Sequence, residues 1–250
     1  MQKRHANRRQ YFEELAATSS EFYLHLCHGP NILEAGCGEG GNLLPFAKKG
    51  WKVTGVDMSE MRIEQAKTFF EEHGQKGTFI ATDFLKYDNE EKFDTILCHD
   101  VIEHIEPPYK EGFIKKISEL KKPDGIIFFG FPAWQMPFGG HQQICKGFIS
   151  RLPFVHLLPG ACYRWLLKIS GNDTAKIEEM MSIRRSKMTT ENFENIAHKV
   201  GLQVQTRQLW FINPHYKQKF GLKPRKLYKW ISHIPYVRNF FSTACFYILK

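Results

Sequence analysis

Residues 32–41, with the sequence ILEAGCGEGG, place four glycines within six positions directly after a short apolar run. Glycine is needed where the backbone takes a positive φ or closely approaches a ligand, and a single turn does not require four of them. The stretch therefore predicts a small molecule that lies against the turn. Two spacings fit, the dinucleotide pattern G-x-G-x-x-G starting at Gly36 and the pattern E-x-G-x-G-x-G starting at Glu34. The glycines alone do not decide between them.

The glycine turn belongs to a regular alternation of predicted strands and helices. Strands are predicted at 31–35, 52–56, 78–81, 94–98 and 125–131. Helices are predicted at 43–49, from the capping residue Ser59 to Gly74, and at 110–120. Because such alternation at short intervals forms a parallel, doubly wound sheet with ligands at the carboxyl ends of its strands, we expect an α/β fold with its site at that edge.

Two features favour the spacing that starts at Glu34. A carboxylate two positions before Gly36 would repel a pyrophosphate but attract a cationic ligand. The segment TDF, residues 82–84, follows a predicted strand and offers a carboxylate and an aromatic ring, which suit the edge and the face of an adenine.

With these motifs in this order, residues 30–132 resemble the class I S-adenosylmethionine-dependent methyltransferases. The resemblance implies their doubly wound, Rossmann-like sheet, mostly parallel with an antiparallel last strand, and S-adenosylmethionine as the cofactor. It assigns these residues to the cofactor: Glu34, Gly36, Cys37, Gly38, Gly40, Asp57, Met58, Asp83, Phe84 and His99. The glycine motif would wrap the amino-acid part, Asp57 would bind the ribose hydroxyls, and Asp83 with Phe84 would bind the adenine. As an alternative, both aspartates could simply cap the segments that follow them.

The segment CHDVIEHIEPP, residues 98–108, resembles the corresponding motif of the quinone-biosynthesis O-methyltransferases. Asp100, Glu103 and His104 are spaced i, i+3, i+4, so one helical turn would place them on one face. That arrangement suits a divalent cation able to bind a catecholic acceptor. Alternatively, Glu103 and His104 pair with each other or with the backbone and brace the loop, and we assign no metal.

Methyl transfer depends mainly on positioning, and a base is needed only where the acceptor atom carries a proton. His99 and His104 are the candidate catalytic bases, and His141 is a third. His156 and His215 are assigned structural or surface roles. We therefore predict a methyltransferase of a small-molecule acceptor, with oxygen as the expected acceptor atom. The alternatives are a methyltransferase of a lipid or macromolecule and a binding protein without catalysis.

The length of 250 residues predicts one α/β domain with an insertion. The expected parts are an N-terminal helical lead-in at 1–30, a cofactor-binding core at 31–132, a lid or substrate insertion at 133–188, and C-terminal helices and strands at 189–250 that complete the sheet. The sequence shows no membrane-spanning run, no signal peptide and no C-x-x-C pair among its six cysteines, which predicts a reducing, cytoplasmic setting.

The net charge of +9 is concentrated at the C-terminal end, because residues 195–250 contain ten Lys or Arg and no Asp or Glu. Aromatic residues are interleaved with these cations. Such a segment could lie on an anionic membrane as a peripheral contact, or it could pack on the sheet with its aromatics buried. We favour packing, because ACFYIL at 244–249 is typical of a final core strand. Nucleic acid is not expected, and the oligomeric state is not predicted.

Overall fold

The computed structural model describes residues 2–250, with side chains from residue 9 onward, so the first residue of the predicted lead-in lies outside the described residues. The strands are β1 Asn31–Ala35, β2 Lys52–Asp57, β3 Thr78–Ala81, β4 Phe93–His99, β5 Lys121–Phe131, β6 Val204–Ile212, β7 Arg225–Lys226 and β8 Ala244–Leu249. The helices are α1 Gln2–Phe22, α2 Leu44–Lys48, α3 Glu60–Glu72, α4 Pro107–Leu120, α5 Gly160–Ile169, α6 Thr174–Ser186, α7 Thr190–Lys199, α8 His215–Phe220, α9 Lys229–Ser232 and α10 Val237–Phe240.

The strands form one sheet in the order β3-β2-β1-β4-β5-β8-β6-β7. Strands β1 to β5 pair in parallel, and β8 pairs antiparallel with both β5 and β6. The predicted mostly parallel sheet with an antiparallel last strand is therefore confirmed. The strand order reverses between β1 and β4, which opens a crevice at their carboxyl ends, where open α/β sheets bind ligands.

Apolar side chains cover both faces of the sheet, so neighbouring residues of one strand enter different cores. On β1, Ile32 belongs to the core beneath α1, α2 and α3, and Leu33 belongs to the core beneath α4 and α7. On β4, Leu97 belongs to the core beneath α1, α2 and α3, and Ile96 belongs to the core beneath α4 and α7. Strands buried on both faces are typical of parallel sheets, and they hold the strand ends of this sheet in fixed positions.

The insertion at 133–188 contains α5, α6 and three short 3-10 helices, and it has an apolar core of its own. That core includes Trp134, Ile149, Tyr163, Leu167 and Met180. The buried Lys110 of α4 ties the end of the insertion to the segment after β4, because its ammonium donates to the backbone carbonyl oxygens of Ile102, Ser186 and Lys187. The division of the chain into four parts, and the assignment of the insertion as a lid, stay predictions.

The C-terminal segment combines a packed strand with an exposed aromatic surface. As expected, ACFYIL forms a buried strand, and the buried Arg238 pairs with Glu191 at 3.0 Å and Glu194 at 3.3 Å on α7. In contrast to the expectation of buried aromatics, Trp230 is 69% exposed and Tyr236 is 67% exposed. The short helices of this segment leave most of their aromatic rings exposed. Among the described residues, none of the helices is both long enough and apolar enough to cross a membrane.

Candidate active site

A cavity of about 980 Å³ lies at the carboxyl ends of the central strands. The core contributes residues that follow β1, β2, β3 and β4. The insertion contributes Met136, Phe138 and His141, and the C-terminal segment contributes His215 and Tyr216. The cavity is therefore lined by several of the predicted cofactor residues. It is also lined by two parts of the chain in which the sequence predicted few site residues.

The glycine turn after β1 forms one wall of the cavity. Gly36 has a φ of +75° and Gly38 a φ of +51°, a region that side chains disfavour. A Cβ atom on Gly36 would lie 2.4 Å from Cγ2 of Val101, so glycine is also needed for the close approach of the segment after β4. Gly40, with a φ of +78°, fits against Phe70 in the core, and Cys37 is buried. The turn thus brings bare backbone to the cavity.

Glu34 lies behind this turn as a fully buried carboxylate. Its Oε1 accepts a hydrogen bond of 2.8 Å from Nδ2 of Asn42, whereas its Oε2 is buried without a hydrogen-bond partner. Burial raises the pKa of Glu34 to about 8, and the nearby Asp57 contributes to the rise. A buried carboxylate oxygen that lacks a partner fits the positively charged amine of the methionine part of S-adenosylmethionine.

Asp57 and Asp83 both accept backbone hydrogen bonds at the ends of their strands. Asp57 accepts hydrogen bonds of 2.9 Å from the backbone N–H groups of Gly38 and Ser59, and Asp83 accepts one of 3.0 Å from Leu85. Both aspartates also line the cavity. Because a carboxylate oxygen has two lone pairs, an aspartate that braces its loop can still accept a hydrogen bond from a ligand.

Met58 and Phe84 differ in how they meet the cavity, although both line it. Met58 is 77% exposed and free to cover an adenine. Phe84 is buried, and its ring packs 5.2 Å from that of Phe113. The predicted adenine site therefore has one exposed wall and one wall packed into the core.

His99 lies behind the cavity wall. Its ring is buried, its Nε2 is 2.9 Å from the hydroxyl oxygen of Tyr23, and its Nδ1 is 3.4 Å from Oδ2 of Asp100. Asp100 is half-exposed and lines the cavity. A catalytic role for His99 stays a prediction, and its contacts would let it act through Asp100.

His104 reaches the cavity and meets His141 of the insertion, with ring centroids 5.0 Å apart. The ligand atoms of Glu103, His104 and His141 lie within 4.8 Å of one another, a grouping that could hold a divalent cation. Asp100 does not join them on a helical turn, because the segment is not helical and Asp100 has a φ of +54°. Nothing in the sequence spacing pointed to His141 as the third member.

Burial keeps the imidazoles of the cavity in the neutral form. It lowers the pKa of His104 to about 4, with a further contribution from His141, and it lowers the pKa values of His141 and His215. Conversely, burial and the charge of Asp100 raise the pKa of Glu103. Neutral imidazoles can accept hydrogen bonds, so this end of the cavity suits a hydroxylated acceptor.

His215 and Tyr216 are site residues that sequence reasoning missed, since His215 was assigned a structural or surface role. Their placement depends on a long-range contact between α8 and α1, where Nδ1 of His215 is 3.3 Å from the hydroxyl oxygen of Thr18. A contact between such distant segments cannot be predicted from a local sequence pattern. His156, in contrast, is buried in the insertion with Nε2 at 2.7 Å from the carbonyl oxygen of Trp134, which fits a structural role.

The sheet order, the glycine turn and the cavity at the switch point define an S-adenosylmethionine-dependent methyltransferase. Residues 32–125 match the family described as "Methyltransferase domain". Over 185 residues the chain is 36% identical to the ubiquinone biosynthesis O-methyltransferase of Actinobacillus pleuropneumoniae serotype 5b (strain L20), covering 70% of this chain and 74% of that protein. The chain therefore belongs to the S-adenosylmethionine-dependent methyltransferases. A binding protein without catalysis is not favoured.

A further relative and a solved structure are also similar to this chain. The ubiquinone biosynthesis O-methyltransferase of Coxiella burnetii (strain Dugway 5J108-111) is 36% identical over 160 residues, covering 57% of this chain and 67% of that protein. Among solved structures, an S-adenosylmethionine-dependent methyltransferase from Clostridium acetobutylicum ATCC 824 superposes with a TM-score of 0.59 at 12% identity, covering 96% of this chain and 91% of that chain. At that identity the likeness shows the fold alone.

Replacing Asp57 by alanine should weaken the binding of S-adenosylmethionine by about 1.5–3 kcal/mol, because two hydrogen bonds to a carboxylate are lost. Calorimetry measures the affinity directly. Asp88→Ala serves as the control, because its side chain is 86% exposed at a distant surface position. Equal affinities of the Asp57 variant and the unmodified protein would place the ribose elsewhere.

Glu34 should make the cofactor-free protein less stable as the pH rises from about 5 to about 8. Its pKa in the folded state is about 8, against an ordinary value of 4.5, so between these values the unfolded chain has lost a proton that the folded chain keeps. The free energy of unfolding should fall by up to about 1.4 kcal/mol per pH unit from this group. Urea titrations of the unmodified protein and of Glu34→Gln at several pH values test this, and parallel curves would contradict it.

Proposed function

We propose that this chain transfers a methyl group from S-adenosylmethionine to a hydroxyl oxygen of a small aromatic acceptor. The observation that carries the proposal is the continuity of one cavity of about 980 Å³, which is lined by Asp57 and Asp83 and also by Asp100, His104 and His141. The first pair fits the adenosine, and the second group fits a hydroxylated acceptor. The names of the relatives, as O-methyltransferases of ubiquinone biosynthesis, support oxygen as the acceptor atom.

The cofactor would be held by the residues that the sequence assigned to it. Glu34 would bind its amine, the turn at Gly36 and Gly38 would follow its amino-acid part, and Asp57 would accept the ribose hydroxyls. When bound, the cofactor supplies an electrophilic methyl group on a positively charged sulfur. The protein then has to hold the acceptor oxygen about 3 Å from that carbon and to exclude water.

The acceptor would lie between the segment after β4 and the insertion. Met136 and Phe138 provide apolar walls there, and the neutral rings of His104 and His141 offer nitrogen acceptors for hydroxyl hydrogens. A ring with adjacent hydroxyls matches this combination of flat apolar surface and clustered acceptors. We propose that the insertion acts as the lid that selects the acceptor, because it supplies the apolar walls and one imidazole.

A soluble catechol, 3,4-dihydroxybenzoate, provides the direct assay for this activity. Incubation with S-adenosylmethionine should give a product heavier by one methylene, with the new methyl on oxygen, as mass spectrometry and NMR can show. Benzoate, which lacks hydroxyls, should give no product under the same conditions. Methylation of an amine in place of the catechol would contradict the proposal.

We also propose that the C-terminal segment makes a peripheral contact with an anionic membrane. Exposed aromatic and aliphatic side chains stand there beside exposed cations, namely Phe220, Leu222, Lys223, Arg225, Lys226, Tyr228, Lys229 and Trp230. The cations at these positions have no carboxylate within 4.0 Å among the side chains described from residue 9 onward, unlike Lys217 and Arg238. The exposed apolar side chains favour a lipid surface over nucleic acid. A cytoplasmic location stays a prediction, with which six free cysteines are consistent.

Sedimentation with vesicles that contain an anionic phospholipid should carry the protein down at low salt and leave it in solution near 0.5 M salt, because screening shortens to a few Å. The variant Lys223→Gln, Arg225→Gln, Lys226→Gln and Lys229→Gln should stay in solution at low salt. The matched control removes four exposed lysines elsewhere: Lys48→Gln, Lys49→Gln, Lys86→Gln and Lys92→Gln. If both variants behave alike, vesicle binding depends on net charge alone, and the C-terminal segment is not the membrane-binding surface.

A further inference from the structure

Asp100 lines the cavity with a half-exposed side chain. Its charge acts on groups from every part of the chain that surrounds it, raising the pKa values of Tyr11 and Tyr216 beyond the effect of burial. It also acts on the cavity histidines His104, His141 and His215. A ligand that fills the acceptor end of the cavity therefore lies within reach of this carboxylate.

A chain of hydrogen-bonding groups leads from the core to Asp100. Nδ1 of His99 lies 3.4 Å from Oδ2 of Asp100, and Nε2 lies 2.9 Å from the hydroxyl oxygen of Tyr23. Because a carboxylate only accepts hydrogen bonds, a proton on Nδ1 would point the ring toward Asp100 as a donor and leave Nε2 to accept from Tyr23. Burial raises the Tyr23 pKa, which keeps the proton on its hydroxyl. Tyr23 is therefore placed to favour the tautomer in which His99 presents its Nδ1–H to Asp100.

The backbone around this chain of groups is shaped to hold it. A Cβ atom on Gly130 would lie 2.4 Å from Cδ2 of His99, so only glycine at this position leaves space for the ring. The backbone N–H of Asp100 donates to the carbonyl oxygen of Gly130 at 2.8 Å. Asp100 itself has a φ of +54°, a conformation that aspartate adopts more readily than most residues and that turns the chain out of β4. Gly130 therefore both leaves space for the His99 ring and accepts the backbone hydrogen bond of Asp100.

We propose that Asp100 accepts the proton of the acceptor hydroxyl, and that Tyr23 and His99 are positioning residues that hold the carboxylate toward the cavity. This inference rests on the proposed hydroxyl methylation. As the hydroxyl oxygen forms its bond to the methyl carbon, the carbon–sulfur bond breaks and its electron pair stays on sulfur. The hydroxyl O–H bond breaks at the same time, and the proton forms a new O–H bond on Asp100. The products are the methyl ether, the neutral thioether and a protonated carboxyl.

Asp100 suits this role better than His104, although both face the cavity. A proton on His104 would create a positive charge next to the imidazole of His141, whose ring centroid is 5.0 Å away. A proton on Asp100 would neutralise an existing negative charge and create none. In a site of low polarity, the transfer that removes a charge is the less costly one.

Steady-state kinetics with 3,4-dihydroxybenzoate and four variants test the proposal. Asp100→Asn should lower kcat by about 100-fold or more, the lower bound usual for the loss of a proton acceptor. Asparagine tolerates the left-handed backbone, so the fold is kept. His99→Asn places an amide N–H where Nδ1 stands and should retain most of the kcat, whereas His99→Gln places its amide near Nε2 and should lose about tenfold. Tyr23→Phe should resemble His99→Gln.

The controls separate positioning from packing. Tyr163 is a fully buried tyrosine of the insertion core whose hydroxyl has no hydrogen-bond partner, so Tyr163→Phe should leave kcat unchanged. The affinity for S-adenosylmethionine, measured by calorimetry, should change less than about twofold in Tyr23→Phe. Equal losses of kcat in His99→Asn and His99→Gln would mean that the ring only fills space, and would overturn the positioning roles.

A second measurement does not depend on turnover. In ¹⁵N NMR spectra, His99 of the unmodified protein should show a protonated Nδ1, and Tyr23→Phe should shift its ring toward the other tautomer. A protonated Nε2 with a bare Nδ1 in the unmodified protein would overturn the proposal. If the Nδ1 proton is present but the catechol is not methylated, hydroxyl methylation and the proton-accepting role of Asp100 fail, while the positioning of the carboxylate by Tyr23 and His99 stands.

Discussion

The parallel pairing of β1 with β4 is the constraint on which the site depends. Its register places Glu34 beside Leu97, so both strands end at the same edge of the sheet. The strand order reverses at this pair, and the chains that leave the two strands turn apart and open a crevice. Gly36 on one side and Val101 on the other touch across it, which explains why a methyl group at position 36 would not fit. The segments that follow the two strands are therefore packed directly against each other, through the Val101 side chain and the backbone of Gly36.

Burial then decides the charge of the side chains that line or support this crevice. Glu34 and Glu103 are carboxylates whose pKa values are raised by burial, and the imidazoles of His104 and His141 have pKa values lowered by it. Asp100 is the half-exposed carboxylate between them. The site thus holds little charge of its own before a ligand enters. The buried carboxylate oxygens of Glu34 and Glu103 that lack a hydrogen-bond partner leave capacity for a polar or charged ligand.

Local patterns were enough to predict the five parallel strands and the glycine turn, because each depends on neighbours in sequence. The predicted strand at 78–81 and the cap at Ser59 agree with the structure, and the end of α4 moved, since it begins at Pro107. Strand β7 and the helices α5 and α6 of the insertion were not predicted. The remaining features of the site depend on contacts between segments that are distant in sequence. The i, i+3, i+4 spacing from Asp100 suggested one helical face, yet a left-handed residue at that position breaks the turn. His141 and His215 come from distant segments whose placement no local spacing encodes.

The C-terminal segment contributes residues both to the cavity and to an exposed basic and aromatic surface. Its last strand is buried beside β5, which anchors the segment and places α8 against α1. From α8, His215, Tyr216 and Lys219 line the cavity, while the residues that follow Phe220 form the exposed basic and aromatic surface. The exposed surface therefore begins within a few residues, along the chain, of the residues that line the cavity. An acceptor that arrives at that surface would meet the cavity at α8, whose His215, Tyr216 and Lys219 line it.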